Sequence, residues 1–289
     1  MEQPLIGIIG GSGLYQMDGF EVSERRRIST PFGEPSDEYV IGTLNGKSVA
    51  FLPRHGRGHR ITAPKVNYRA NLYGMKCLGV RQILSVSAVG SLKEAYHPGH
   101  MVVVDQFIDI TKQRASSFFD EGVVAHILMA QPVCGGLAGK LFQAAREAGA
   151  AAHFGGSYVC IEGPQLSTKA ESLVYRGWNA DVIGMTNATE AKLAREAEIC
   201  YATMAMITDY DCWHESEEAF SAEKIVATFQ QNVKTAQDVL RRAVKALEPE
   251  QPCACQTALE GSIISDLSQV SDATQTRLEA IAGRFFRKG

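Results

Sequence analysis

Short apolar runs recur along this chain, and most stop at a glycine, a serine or a charged residue. The first is Leu5-Ile6-Gly7-Ile8-Ile9, stopped by Gly10-Gly11-Ser12-Gly13. Others are Gln82 to Ala88, followed by Val89-Gly90-Ser91-Leu92, Met101 to Ile108, Tyr158-Val159-Cys160-Ile161 running into Glu162-Gly163-Pro164, and Ala180 to Thr186. Runs of this length without a helical stripe read as strands covered on both faces. Tyr39 to Leu44 and Ser48 to Leu52 flank Asn45-Gly46, a pair that tolerates positive φ and predicts a hairpin. Helical spacing appears at Ala70, Tyr73 and Cys77, at Leu137, Leu141, Ala144, Ala145 and Ala148 before Gly149, around Leu173 and Val174, and over Ala188 to Glu198. From an N-cap at Ser221, the residues Ile225, Phe229, Val233, Ala236, Leu240, Val244 and Leu247 trace one face of a long helix. Strands alternating with helices predict an α/β fold, a three-layer sandwich in which a twisted, mostly parallel or mixed sheet is flanked by helices.

The longest apolar run, from Cys200, ends abruptly in Thr208-Asp209-Tyr210-Asp211. Residues two apart on an extended strand project to one side, so both carboxylates can face a crevice at the carboxyl edge of the sheet. The same residues also suit a turn with an Asp cap. Glu248-Pro249-Glu250-Gln251-Pro252 resembles a linker, so residues 1–247 read as one domain and 248–289 as a tail packed on it, too short for a core of its own.

Composition narrows the function. A chain of 289 residues, 45% of them hydrophobic, can bury a full core, and whole-chain disorder is excluded. A net charge of -3 gives no field for gripping a phosphate backbone, so no nucleic-acid partner is expected. The N-terminus has no basic region before Leu5, and no apolar run is long enough to span a bilayer. Neither a signal peptide nor a membrane span is expected, and the location expected is cytoplasmic. Seven cysteines without a Cys-x-x-Cys pair or a Cys/His cluster argue against zinc and against a disulfide scaffold. No metal is expected, and Cys253-Ala254-Cys255 reads as free thiols or as a strained disulfide.

Two loops carry candidate chemistry. Gly10-Gly11-Ser12-Gly13 can turn tightly and aim N–H groups at an anion, or serve as a plain glycine turn. It fits neither G-x-G-x-x-G nor the Walker pattern. Pro53 to Arg60 packs three arginines and two histidines around two glycines, which suits either closure on a small anion or a solvated surface. His126 follows a polar loop from Thr111 to Gly122, and its spacing alone assigns it no role.

Six segments stand in a telling order: Gly10-Gly11-Ser12-Gly13-Leu14, Pro53-Arg54-His55-Gly56, Asn67-Tyr68-Arg69-Ala70-Asn71, Ser87-Ala88-Val89-Gly90-Ser91-Leu92, Ile161-Glu162-Gly163-Pro164 and Thr208-Asp209-Tyr210-Asp211-Cys212-Trp213. In this the chain resembles the 5'-methylthioadenosine phosphorylases of the trimeric purine nucleoside phosphorylase family, from about Leu5 to Leu247, and its Cys-x-Cys tail is similar to that of bacterial and archaeal members. The resemblance implies a homotrimer that uses inorganic phosphate, with no cofactor, to split a thioether nucleoside into adenine and 5-methylthioribose 1-phosphate.

It places phosphate at Ser12, Arg54, His55, Ser87, the Ala88 backbone and Thr186. The nucleoside falls at Ser167, Met185, Asp209 and Asp211, with the two aspartates as the catalytic pair. The 5' thioether falls at Ala222, Ile225 and Val226, with His126 supplied by a neighbouring subunit. Departures from the family pattern occur at Leu166, Gly184, Asn187, Thr189 and Ala222, around the base, sugar and thioether group. Alternatives are a phosphorylase for 6-oxopurine nucleosides or methylthioinosine, and a nucleoside- or phosphate-binding protein without turnover. In the expected chemistry phosphate stabilises the positive sugar while Asp209, its pKa raised by burial and by Asp211, protonates purine N7.

Overall fold

The strands named from the sequence converge on one long central strand. A computed structural model describes residues 3–11, 13–14, 17–215 and 222–287, the side chains of 222–225 aside. In chain order it contains β1 (Ile6–Gly10), β2 (Phe20–Arg26), β3 (Tyr39–Leu44), β4 (Lys47–Pro53), α1 (Tyr68–Cys77), β5 (Gln82–Ser91), β6 (Met101–Val103) and β7 (Gln106–Asp109). There follow α2 (Gly135–Glu147), β8 (Ala152–Phe154), β9 (Ser157–Cys160), α3 (Lys169–Gly177), β10 (Val182–Gly184), α4 (Asn187–Glu196), β11 (Cys200–Tyr210), α5 (Ala222–Ala246), α6 (Asp272–Arg277) and α7 (Glu279–Phe286).

The strands form one mixed sheet in the order β2-β3-β4-β1-β5-β10-β9-β7, with β11 on the other edge of β5, then β6 and β8. β4, β1, β5 and β11 run parallel, while β10 meets β5 antiparallel. Side chains alternate across the sheet as a pleated strand requires. Ile6 and Ile8 of β1 and Ala202, Met204 and Met206 of β11 pack with α2 and α5 on one face. Ile9 and Tyr201 pack with α1, α4 and α7 on the other. This is the three-layer α/β architecture expected from the apolar runs.

Local signals account for the boundaries. Asn45 and Gly46 take φ of 52° and 75°, the twist a two-residue hairpin needs. Asn67 caps α1 by accepting from the Ala70 N–H at 3.1 Å, and Thr168 with Glu171 forms a capping box on α3. Met101 to Ile108, read as one strand, is two. The chain turns at Asp105, whose carboxylate accepts from the Gly156 N–H at 3.0 Å, so β6 pairs with β11 and β8 while β7 pairs with β9. β2, with its mostly exposed charged residues, is the kind of edge strand that periodicity does not reveal.

The tail after Glu248 lies on the same core, to which it supplies Leu259, Val270, Leu278, Ile281 and Ala282. It also corrects the reading that the cysteines form no cluster. Cys134, just before α2, Cys200, at the start of β11, and Cys253 and Cys255 have their Sγ atoms within 4.8 Å of one another. Far-separated segments meet there, so no local spacing announced it.

Candidate active site

β1 leaves β5 at Ser85, and β10 joins the same edge only at Gly90. Between them that edge of β5 has no strand partner among the described residues, and a cavity of about 450 Å³ opens there. The ends of β1 and β4 reach it from one side with Gly11, Arg54 and His55, and the end of β10 reaches it from the other with Gly184, Met185 and Thr186. The open edge presents backbone polar groups to the cavity. Val86 offers its C=O to Arg54 Nη1 at 3.0 Å, and alternate residues of a strand present N–H and C=O on the same edge, so Ala88 aims its N–H into the gap. Thr186 stands at the N-terminus of α4, whose first N–H groups and dipole favour negative charge.

Arg54 is 1% exposed. Nε and Nη2 hold both carboxylate oxygens of Glu190, Nη2 also donates to Ser85 Oγ at 2.7 Å, and Nη1 holds Val86. Four of its five N–H groups therefore have partners among the described residues, and one remains for a ligand. Burial works against its charge, but Glu190 keeps it firmly protonated. Around this pair Tyr201 donates to Glu190 Oε2, and Asn187 Nδ2 reaches Ser85, Tyr201 and Thr203 at 2.8–2.9 Å while its Oδ1 accepts from Ser87 Oγ at 2.6 Å. Asn187, a departure from the family pattern, thus links Ser87 to the ion pair. Gly184, another departure, gives its space to Tyr158: a Cβ there would lie 2.0 Å from the Tyr158 hydroxyl, which accepts from the Thr186 N–H at 3.4 Å.

His55 contributes no charge at neutral pH. Burial, then the Arg54 guanidinium beside it, pushes its pKa down to about 4. Its Nδ1 lies 2.8 Å from the Ile61 carbonyl, which can only accept, so Nδ1 carries the proton and Nε2 is left as an acceptor.

At the other end of the cavity stand Asp209 and Asp211. β11 pairs regularly with β5 until Ile207, then slips, so that Asp209 lies opposite Gly90. This bulge at Thr208 lets the consecutive residues Thr208 and Asp209 both line the cavity, which a regular strand would forbid. Burial raises the Asp209 pKa to about 6; the Thr208 hydrogen bond opposes the rise, and the Asp211 charge adds a smaller push upward. Asp211 is also raised, chiefly by burial. Asp211 Oδ2 and Ser167 Oγ are buried without a hydrogen-bond partner among the described residues, and both belong to residues lining this end. Unpaired buried polar atoms are costly, so their presence in one cavity suits a polar planar ligand.

The wall between the two ends is largely apolar, with Val86, Val89, Ile183, Met185 and Met206. One contributor was missed in the sequence. Arg114, in the polar loop from Thr111 to Gly122, donates to the Met185 carbonyl, to Glu162 O at 2.7 Å and to Glu162 Oε1 at 3.0 Å, and so holds Met185 in the cavity wall. Glu190, an acid in the first turn of α4, carries no sequence signal of its own, although a buried arginine calls for a carboxylate.

Of the expected site residues, Arg54, His55, Ser87, Ala88, Ser167, Met185, Thr186, Asp209 and Asp211 line this one cavity. His126 and Val226 do not; His126 is exposed and donates its backbone N–H to Ser262 O at 2.8 Å, and Val226 is exposed on α5. Ser12 and the side chains of Ala222 and Ile225 lie outside the described residues.

The phosphorylase superfamily pattern matches residues 5–245. The chain is 55% identical over 284 residues to the S-methyl-5'-thioadenosine phosphorylase of Koribacter versatilis, covering 98% of this chain and 97% of that one. It superposes with a TM-score of 0.93 and 51% identity on a crystal structure of methylthioadenosine phosphorylase from an antarctic soil metagenomic library, covering 97% and 99% of the two chains. Methylthioadenosine phosphorylase from Schistosoma mansoni, solved in complex with adenine, gives a TM-score of 0.82 at 35% identity, covering 90% of this chain and 98% of that one.

Two outcomes follow for stability. Arg54→Ala strands Glu190 as a buried unpaired charge, so denaturant unfolding should show a loss of about 3–5 kcal/mol; a variant as stable as wild type would contradict the pairing. Asp209 has a folded pKa above its ordinary value of 3.8, so its contribution to stability is full below that value and is lost as pH rises through about 6. Asp209→Asn lacks that loss. Melting temperatures measured at pH 5 and pH 8 should therefore shift in favour of the variant at the higher pH, and a pH-independent difference would contradict the raised pKa.

Proposed function

The chain belongs to the phosphorylase superfamily, and we propose that it cleaves 5'-methylthioadenosine with inorganic phosphate, giving adenine and 5-methylthioribose 1-phosphate. The observation that carries this reading is a single cavity with anion-holding groups at one end and, at the other, the carboxyl groups of half-buried Asp209 and buried Asp211. Relatives of more than half-identical sequence that bear the methylthioadenosine phosphorylase name support it.

Phosphate sits against the Arg54 N–H, the Ala88 N–H, Ser87, Thr186 and the α4 N-terminus, and Ser12 is assigned to it by the family resemblance. Neutral His55 accepts the phosphate hydroxyl at Nε2, which turns an unprotonated oxygen toward the sugar. As the glycosidic bond lengthens, positive charge grows on C1' and is met by the phosphate, while negative charge grows on the purine. Asp209 gives its proton to N7, and Asp211 and Ser167 hold the rest of the base. The apolar wall and Met185 exclude water from the sugar, so phosphate captures C1'. Phosphate supplies both nucleophile and counter-charge, and the reaction needs no cofactor.

The 5' thioether rests against Ala222, Ile225 and Val226 and is closed off by His126 of a neighbouring copy in a homotrimer. Val124, Leu128 and Ile264 around His126 are 45%, 83% and 62% exposed, an apolar strip suited to self-association. Residues 248–289 belong to the same folding unit as 1–247. Among the described residues no helix is long and apolar enough to cross a membrane, and a cytoplasmic location is proposed.

Specificity follows from the carboxyl pair. Adenine offers an amino donor at C6, where a 6-oxopurine offers an acceptor that would face a carboxylate oxygen, an unpaired contact costing about 1–3 kcal/mol. Catalytic efficiency on methylthioadenosine should therefore exceed that on methylthioinosine by roughly tenfold or more. Asp209→Asn should abolish most of the first and spare the second; a wild type that favours methylthioinosine would overturn the assignment.

His126→Ala should change discrimination among 5' substituents and leave the phosphate KM within about twofold, since it removes no phosphate contact. Sedimentation that finds an active monomer would contradict both the trimer and the role of His126.

A further inference from the structure

The cysteine cluster lies at the far end of β11 from the carboxyl pair. Asp209 lies nine positions beyond Cys200, which at the rise of a strand is roughly 30 Å. Cys134, Cys200 and Cys255 are 7%, 1% and 5% exposed, and Cys253 is half-buried. All four carry free thiols whose Sγ atoms lie within 4.8 Å of one another. Cys134 and Cys253 are 3.8 Å apart. Four sulfurs around a tetrahedral ion with metal–sulfur bonds of about 2.3 Å would sit about 3.8 Å from each other, whereas a disulfide needs about 2.05 Å.

We propose that Cys134, Cys200, Cys253 and Cys255 form a closed tetrathiolate site for one zinc ion. The one-residue spacing of Cys253 and Cys255 is no obstacle: Cys253 is extended, with φ -141° and ψ 142°, and Cys255 lies in the short 3-10 turn Ala254–Thr257, so both sulfurs turn to the same point. Zinc replaces the four thiol protons, and the site keeps a net charge of two minus. Two features of the structure offset it. Arg195 Nη1 donates to Cys255 Sγ at 3.5 Å, and Cys134 stands at the N-cap of the thirteen-residue helix α2, at the positive end of its dipole.

The four ligands leave no open position, which makes the ion structural. It ties three segments together: the entry to α2, the start of the central strand β11, and the tail that carries Leu259, Val270, Leu278, Ile281 and Ala282 into the core. The site is independent of the proposed catalytic reading, because its test reads metal, thiols and melting rather than turnover.

The test uses the full chain, reduced, incubated with zinc chloride and freed of unbound metal by gel filtration. Elemental analysis should find close to one zinc per chain, and a zinc-sensitive dye should report its release when a mercurial is titrated onto the thiols. Cobalt(II) in its place should give the visible bands of a tetrahedral thiolate complex. Chelation should lower the melting temperature by roughly 5 °C or more. Cys253→Ser combined with Cys255→Ser should retain no zinc, while Cys77→Ser, at an exposed cysteine outside the cluster, should retain it. Reduced wild type that keeps less than about a tenth of an equivalent of zinc would overturn the site. So would cysteines found joined in disulfides that reduction and zinc do not replace, or a zinc content indifferent to the paired serine variant.

Discussion

The buried pair of Arg54 and Glu190 is the interaction on which the site depends. It joins the end of β4 to the first turn of α4, and through Arg54 Nη1 it satisfies the Val86 carbonyl on the open edge of β5. A strand edge left bare inside a protein would carry costly unpaired backbone groups. Here the guanidinium takes the place of the missing strand, and that is what allows a cavity to exist in the middle of a sheet. The pair is worth little as a net source of stability, because two charges had to leave water, yet neither partner can be removed alone. Its effect is geometric: Arg54, Ala88 and Thr186 at the N-terminus of α4 are held around the same cavity.

The two ends of the cavity are tuned in opposite directions. Arg54 stays charged because Glu190 compensates for burial, and His55 beside it is kept neutral by burial and by that same charge. At the far end burial favours the protonated form of Asp209, and the bulge at Thr208 turns it inward. In the proposed reaction the first end would hold the nucleophile and the second the proton, as breaking a bond between a sugar and a base requires. No mobile element is needed to explain this arrangement; it follows from where β1 and β10 leave the edge of β5.

Much of this was legible in the chain. The apolar runs marked the strands, Asn45-Gly46 the hairpin, and the Asp209 and Asp211 pair stood out because a buried run rarely ends in two carboxylates. What stayed hidden depends on distant partners. Glu190 looks like an ordinary acid in a helical first turn until Arg54 is placed against it, and Arg114 sits in a loop without periodicity. The break at Asp105 involves Gly156, and the cysteine cluster joins three segments spread over more than a hundred residues. His126 carries no signal of its own in either the sequence or the cavity lining, and only the family resemblance assigns it a place.

The account stands or falls on whether the anion end delivers a nucleophile. The direct measurement is to incubate the purified chain with 5'-methylthioadenosine, with and without inorganic phosphate, and to follow adenine release together with the phosphorus resonance of the product. The account predicts adenine and a sugar 1-phosphate in equal amounts, with no release when phosphate is left out. Adenine released at the same rate without phosphate, alongside free sugar, would contradict it.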